Sequence, residues 1–243
     1  MIVITGMRAE ARIASAPGVR VFACGGNVDL RAHAIRHAVF AGAPAIISFG
    51  IAGGLCSDLN PGDWIVATGV SSEHRRIETD VEWSSRLISR LPSAELGDIV
   101  SVASPVRTPE DKRRLHISAD AIAVDMESFD AAALASELGV PFAAVRVIAD
   151  PVSRELPPAI HVGLRPDGTA AMGPVMRSLL RQPSQIPSLA RVSTDAFIAI
   201  RALLKGRDRL GPLFASLMCP TVRRADAPFG GGIIRARTAP LTV

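Results

Sequence analysis

The sequence predicts an α/β fold of three layers, helices on both faces of a central sheet that is mixed but largely parallel. Three observations predict it. Short apolar runs recur up to residue 150. They are continuous rather than alternating, as strands covered on both faces are. Segments of helical pattern separate several of them, and such alternation builds a parallel sheet.

The elements follow in order. The first two runs are MIVIT (1–5) and VRVFAC (19–24), with a helix over 28–41. The third, AIISFG (45–50), leads into Gly50, Ile51, Ala52 and Gly53-Gly54, a stretch that reads as a glycine-rich loop allowing close backbone approach. The turn Asn60-Pro61-Gly62-Asp63 then opens DWIVATGV (63–70). A helix over 80–91 precedes DIVSVA (98–103). The next helix, 108–116, has Thr108 as N-cap and Pro109 in its first turn. AIAVD (121–125) hands over to a helix at 127–138, which stops at Gly139 with Pro141 behind it. FAAVRVIAD (142–150) is the last strand.

Beyond it the pattern changes. PVSRELPPAIHVGLRPDG is a turn-rich connector, and 169–181 and 188–204 read as helices. Leu189, Val192, Phe197, Ile200, Leu203 and Leu204 give the second of these an apolar face that suits either a core or a membrane surface. The division expected is a first domain over 1–175 and a basic helical extension over 176–243. The last twenty-odd residues, rich in Gly, Pro and Arg, read as a poorly ordered tail.

Composition narrows the class. With 243 residues, 48% of them hydrophobic, the chain can bury one sizeable core rather than two. Cys24, Cys56 and Cys219 lack metal-ligand spacing, so no metal site is expected and a reducing cytoplasmic setting is. The opening MIVITGMRAEAR carries its charge after the apolar residues, the reverse of a secretory signal. Residues 38–57 are uncharged, yet Pro44 and four glycines argue against a membrane span there. Residues 1–175 hold 16 Lys and Arg against 20 Asp and Glu, net −4, whereas 176–243 hold 11 against 3, net +8. With almost no aromatics and no nucleic-acid motif, that basic part fits peripheral contact with an anionic inner-membrane surface better than nucleic acid; a solvated basic tail is the plain alternative.

Three carboxylates stand at strand exits: Glu10, Glu127 and Asp150. Open α/β sheets bind ligands there, and a buried carboxylate is costly unless paired. Singly, each also reads as a surface charge, an N-cap or an ion pair with Arg146 or Arg154. The glycine stretch matches neither a dinucleotide fingerprint nor a phosphate loop, since no lysine follows it.

Together, Glu10, FGIAGGL with NPGD, AVDMES and VRVIADP resemble the purine nucleoside phosphorylase superfamily over residues 1–152, most closely its methylthioadenosine/S-adenosylhomocysteine nucleosidase branch. AVDMES and the basic C-terminal part resemble the hopanoid-associated phosphorylases, which act on adenosylhopane. The resemblance implies a nucleoside phosphorylase-like fold that cleaves a purine N-glycosidic bond. It makes Asp150 the general acid at purine N7, puts Glu127 on the ribose hydroxyls with Met126 packed against the sugar, and has Glu10 orient the attacking water. Ile51, Ala52, Gly53, Ser104, Pro105, Val106 and Ala149 would meet the substrate. It implies no cofactor, phosphate open as co-substrate, and a homodimer.

The chain also departs from the branch. Ile51 and Ala149 stand where serines are usual, SPVRT supplies no aromatic lid, and there is no tyrosine. Stacking on the base would be aliphatic or come from Phe22, Phe49, Phe129 or a partner subunit. Phosphate would need arginines, for which Arg8, Arg31 and Arg36 are candidates. Two other readings bring different expectations. A non-catalytic adenosine-binding module would have lost one of the three carboxylates, and a dinucleotide-dependent oxidoreductase would need more than CGGN at 24–27. Small soluble nucleosides remain the alternative substrates.

Overall fold

A computed structural model describes residues 1–23, 28–73, 75–160 and 172–216. CGGN, the connector beyond Ile160 and the C-terminal tail read from the sequence lie outside the described residues. Eight strands alternate with helices, in the order β1 (Ile2–Thr5), α1 (Arg8–Ala14), β2 (Arg20–Ala23), α2 (Val28–Phe40), β3 (Ile46–Gly54), β4 (Trp64–Ser72), β5 (Arg75–Glu78), α3 (Val81–Arg90), β6 (Ala94–Ser101), α4 (Pro109–Ala119), β7 (Ala123–Asp125), α5 (Ser128–Glu137) and β8 (Phe142–Asp150). Then α6 (Met172–Arg181) and the 25-residue α7 (Ile186–Leu210) complete the described fold.

The sheet runs β2-β1-β3-β7-β6-β4-β5, with β8 pairing both β3 and β4. Strands β3, β8, β4, β6 and β7 therefore close on themselves as a ring, from which β1 and β2 extend on one side and β5 on the other. Five of the eight pairings are parallel; β3–β7, β4–β5 and β4–β8 are antiparallel. The expected mixed, largely parallel sheet is what forms.

Both faces are covered, which is why the apolar runs are continuous. Ile2, Ile4, Ile46 and Ala144 pack with Ile35 and Ala38 of α2 and Ala131 and Ala135 of α5. Val3, Ile47, Ala143 and Val145 pack with Ala14 of α1, Leu87 of α3 and Leu203 of α7. Adjacent residues of one strand thus serve opposite layers.

The starts of α3 and α4 follow side-chain capping. Asp80 accepts from the amide of Trp83 at 2.8 Å, and Thr108 from that of Asp111 at 3.1 Å. Helix α7 differs from the face expected of it. Its buried stripe is Val192, Ala199, Leu203, Gly206 and Leu210, while Phe197 and Leu204 are exposed. Val192 and Leu203 of the expected face do pack, and small residues beside them let the helix approach closely, Gly206 lying against Trp64, which turns Phe197 and Leu204 outward.

Candidate active site

The stretch 50–54, read as a loop, is instead the second half of β3, continued past a bulge between Ala52 and Gly53. This extension carries β3 alongside the end of β8, where Gly53 pairs with Asp150, and against β7 at Val124. Its glycines make room for side chains. A Cβ on Gly50 would sit 2.6 Å from Glu10 Oε1 and 2.7 Å from Arg146 Nη1. A Cβ on Gly53 would sit 3.2 Å from Asp150 Oδ2, and one on Gly6 would sit 2.8 Å from Glu127 Oε1. Each of the three carboxylates therefore rests against a glycine.

Glu10 lies in α1, a helix of seven residues with no side-chain cap oxygen at Met7. Its own carboxylate does that work: Oε2 accepts the amide of Met7 and Oε1 the amide of Ile51, both at 2.8 Å. Burial pushes the Glu10 carboxyl up from its ordinary range, against the opposing pull of Arg146 and of these amides. Glu127 sits at the N-cap position of α5, where the β7 carboxyl end hands over to the helix, and is buried. Asp150 ends β8; burial raises its carboxyl, and Lys112 pulls the other way.

Beneath them lies Arg146, whose side chain is 1% exposed. Its Nε and Nη2 hold Asp125 Oδ2 at 2.8 and 2.6 Å, and Nη2 also reaches Ser48, Ser128 and, at 3.5 Å, Glu127. Burial by itself would raise the Asp125 carboxyl, but Arg146, Ser101 and Ser128 more than offset it and hold it below the usual range. Asp125 is thereby committed to the scaffold. Arg146 Nη1, in contrast, is buried without a hydrogen-bond partner among the described residues, on the side of Gly50 that faces Glu10.

These groups open on one cavity of about 670 Å³. Glu10, Glu127 and Asp150 line it with Met126, Ile51, Ala52, Gly53, Pro105, Val106 and Ala149, so the structure brings nearly all the sequence-predicted residues together. Ser104 is not among the lining residues and is exposed. Arg8 and Arg12 of α1 line the cavity, whereas Arg36 is engaged at the surface with Glu137 at 3.0 Å, and the side chain of Arg31 lies outside the described residues. The far wall was not anticipated: Leu156, Ala159 and Ile160 after β8, and Leu189, Val192 and Ala196 of α7. No aromatic side chain lines the cavity among the described residues; Phe49 is fully buried, edge-on to Phe214 at 5.0 Å.

The model of the phosphorylase superfamily matches residues 19–159 of this sequence. The chain belongs to the phosphorylase superfamily. Membership makes it an enzyme of the nucleosidase or phosphorylase class. Among solved structures it is similar to the 5′-methylthioadenosine/S-adenosylhomocysteine nucleosidase of Helicobacter pylori, with a TM-score of 0.58 and 19% identity over 86% of this chain and 97% of that one. The native futalosine hydrolase of the same organism gives 0.59 and 18%, over 85% and 96%. A putative nucleosidase of Francisella philomiragia gives 0.60 and 16%, over 86% and 95%. At such identities these likenesses establish the superfamily fold. No curated protein matches the chain.

Proposed function

We propose that this enzyme cleaves the N-glycosidic bond of a 5′-substituted adenosine and releases adenine, its substrate being adenosylhopane in hopanoid biosynthesis. The observation that carries the reading is a single cavity in which Glu10, Glu127 and Asp150 face an aliphatic wall. Breaking the bond places positive character on the ribose and negative charge on the departing base, so both ends need stabilising. Asp150 gives its proton to purine N7 as the electron pair of the C1′–N9 bond passes to the base. Its raised carboxyl suits that duty. Glu127 holds the ribose hydroxyls, with Met126 against the sugar.

Water is the nucleophile in this account. Glu10, fixed by two amides, takes the proton as the oxygen joins C1′. A second reading, phosphorolysis, is favoured by Arg8 and Arg12, both exposed and both lining the cavity beside Glu10. The lipid assignment draws on Leu156, Ile160, Leu189 and Val192, an apolar surface suited to a large 5′ group. Small nucleosides such as methylthioadenosine are the alternative substrates.

Location and assembly belong to the same proposal: a cytoplasmic homodimer in peripheral contact with an anionic membrane. Exposed Leu180, Ile186, Phe197 and Leu204 beside Arg181, Arg191, Arg201 and Lys205 support that contact. No described helix is long and apolar enough to cross a membrane. The test is adenine release from adenosylhopane and from methylthioadenosine, each with and without phosphate. Exclusive turnover of the small substrate overturns the lipid assignment, and absolute phosphate dependence overturns the role given to Glu10.

A further inference from the structure

Helix α4 reads PEDKRRLHISA, a charged and largely solvated sequence, yet the side chain of Lys112 in its middle is 0% exposed. An ammonium leaves water at low cost only where acceptors replace it. Three do so here. Nζ donates to Asp150 Oδ2 at 2.5 Å, to the carbonyl of Pro151 at 3.0 Å and to that of Arg154 at 3.2 Å. An ammonium has three N–H donors where a neutral amine has two. The three acceptors thus match the three donors of the ammonium one to one.

The carboxylate it grips is one that faces the cavity. Asp150 lines the cavity and its Oδ1 has no hydrogen-bond partner among the described residues, so one oxygen is anchored and the other is left for a ligand. Two further charges act on Asp150 from neighbouring elements, Asp195 on α7 and Arg154 in the loop after β8. They pair with each other, Arg154 Nε donating to Asp195 Oδ2 at 2.6 Å. Lys112 is thus the cation bonded directly to Asp150.

We propose that Lys112 is the positioning residue for the proton donor: it turns Asp150 Oδ1 toward the purine and steadies the carboxylate that remains when the proton has left. The inference rests on the assignment of Asp150 as general acid made above. In the step concerned the proton passes from Oδ1 to N7, and Lys112 keeps its three protons throughout. Burial by itself would leave the acid holding its proton too tightly, and the ammonium works against that. Proton donation fails as pH rises through the folded value of Asp150. Loss of Lys112 moves that point upward.

The experiment is a titration of the side-chain carboxyls of ¹³C-aspartate-labelled protein by NMR, with the Asp150 signal identified by its loss in Asp150→Asn. The variants are Lys112→Met and Lys112→Gln; the second keeps a donor for the carbonyls of Pro151 and Arg154 should the first not fold. Both are expected to raise the Asp150 midpoint, Lys112→Met by about one pH unit or more. An unchanged midpoint in a folded variant overturns the inference. The alkaline limb of kcat/KM, on whichever adenosine the wild type cleaves, is expected to follow the midpoint; a limb that stays put overturns the role in proton donation. A shifted midpoint in a protein that releases adenine from no adenosine overturns the functional reading and leaves the coupling of Lys112 to Asp150 standing.

Discussion

The carboxylate of Glu10 accepts the amide of Ile51 at 2.8 Å across the bare face of Gly50. A helix after the first strand and the far half of β3 are joined at that point, and the space for it exists because residue 50 has no Cβ. Gly50→Ala would put a methyl group 2.6 Å from Glu10 Oε1 and 2.7 Å from Arg146 Nη1, both buried. We expect a loss of about 1–3 kcal/mol, as for other overpacked cores. Thermal unfolding measures it, and a Tm equal to wild type would show that the carboxylate moves aside freely.

Glu10→Gln bears on chemistry and stability together. Burial raises this carboxyl, so its ionised form opposes folding: the stability linked to it is fully present below the unfolded value and declines as pH rises through the folded one. Glutamine removes the buried charge but has one acceptor oxygen where the amides of Met7 and Ile51 need two, so a loss of about 1–3 kcal/mol is expected at neutral pH, while adenine release falls about 100-fold or more with the proton acceptor gone. Parallel unfolding and turnover measurements check this. Retained turnover would remove Glu10 from the mechanism.

Asp125 behaves in the opposite sense. Its folded carboxyl lies below the ordinary value, so its contribution is complete above the unfolded value near 3.8 and is lost as pH falls through the folded one. Asp125→Ala leaves Arg146 charged and buried without its main partner, and we expect about 3–5 kcal/mol of destabilisation at pH 7, read by denaturant unfolding. The cost should shrink toward acid pH, where the wild type loses the same contribution.

Asp150→Asn is expected to abolish adenine release with little change in Tm. Its side chain lines the cavity rather than the core, and asparagine can still accept a bond from Lys112 through its amide oxygen. Turnover near the wild-type rate would disqualify Asp150 as the acid.

How much was legible follows from what each residue announces. The run FAAVRVIAD marked β8 to the residue, because a strand buried on both faces is apolar, here but for Arg146, and ends where its carboxylate begins. Glu127 and Asp150 were visible as carboxylates at strand exits for the same reason. Helix α1 was not seen: seven residues make too few turns for a periodic pattern, and its cap is Glu10 from within rather than a preceding Ser or Asp. Strand β5, RRIE, was hidden by its charges, which an edge strand tolerates. Arg146 was considered as an ion-pair partner, but its place beneath the site depends on the pairing of β8 with β3. Lys112 reads as one charge among many on a solvated helix, and only the packing of α4 turns it inward. Leu189 and Val192 stand on the apolar face of α7 in the sequence, but that they wall the cavity depends on how the helix docks against β8.

The central claim is that these carboxylates direct water to the anomeric carbon. Turnover of a 5′-substituted adenosine in ¹⁸O-labelled water, without phosphate, with mass analysis of both products, tests it most directly. Free adenine and a sugar carrying one ¹⁸O at C1 are expected. Absence of adenine, or a product formed only when phosphate is added and isolated as the sugar 1-phosphate, would contradict it.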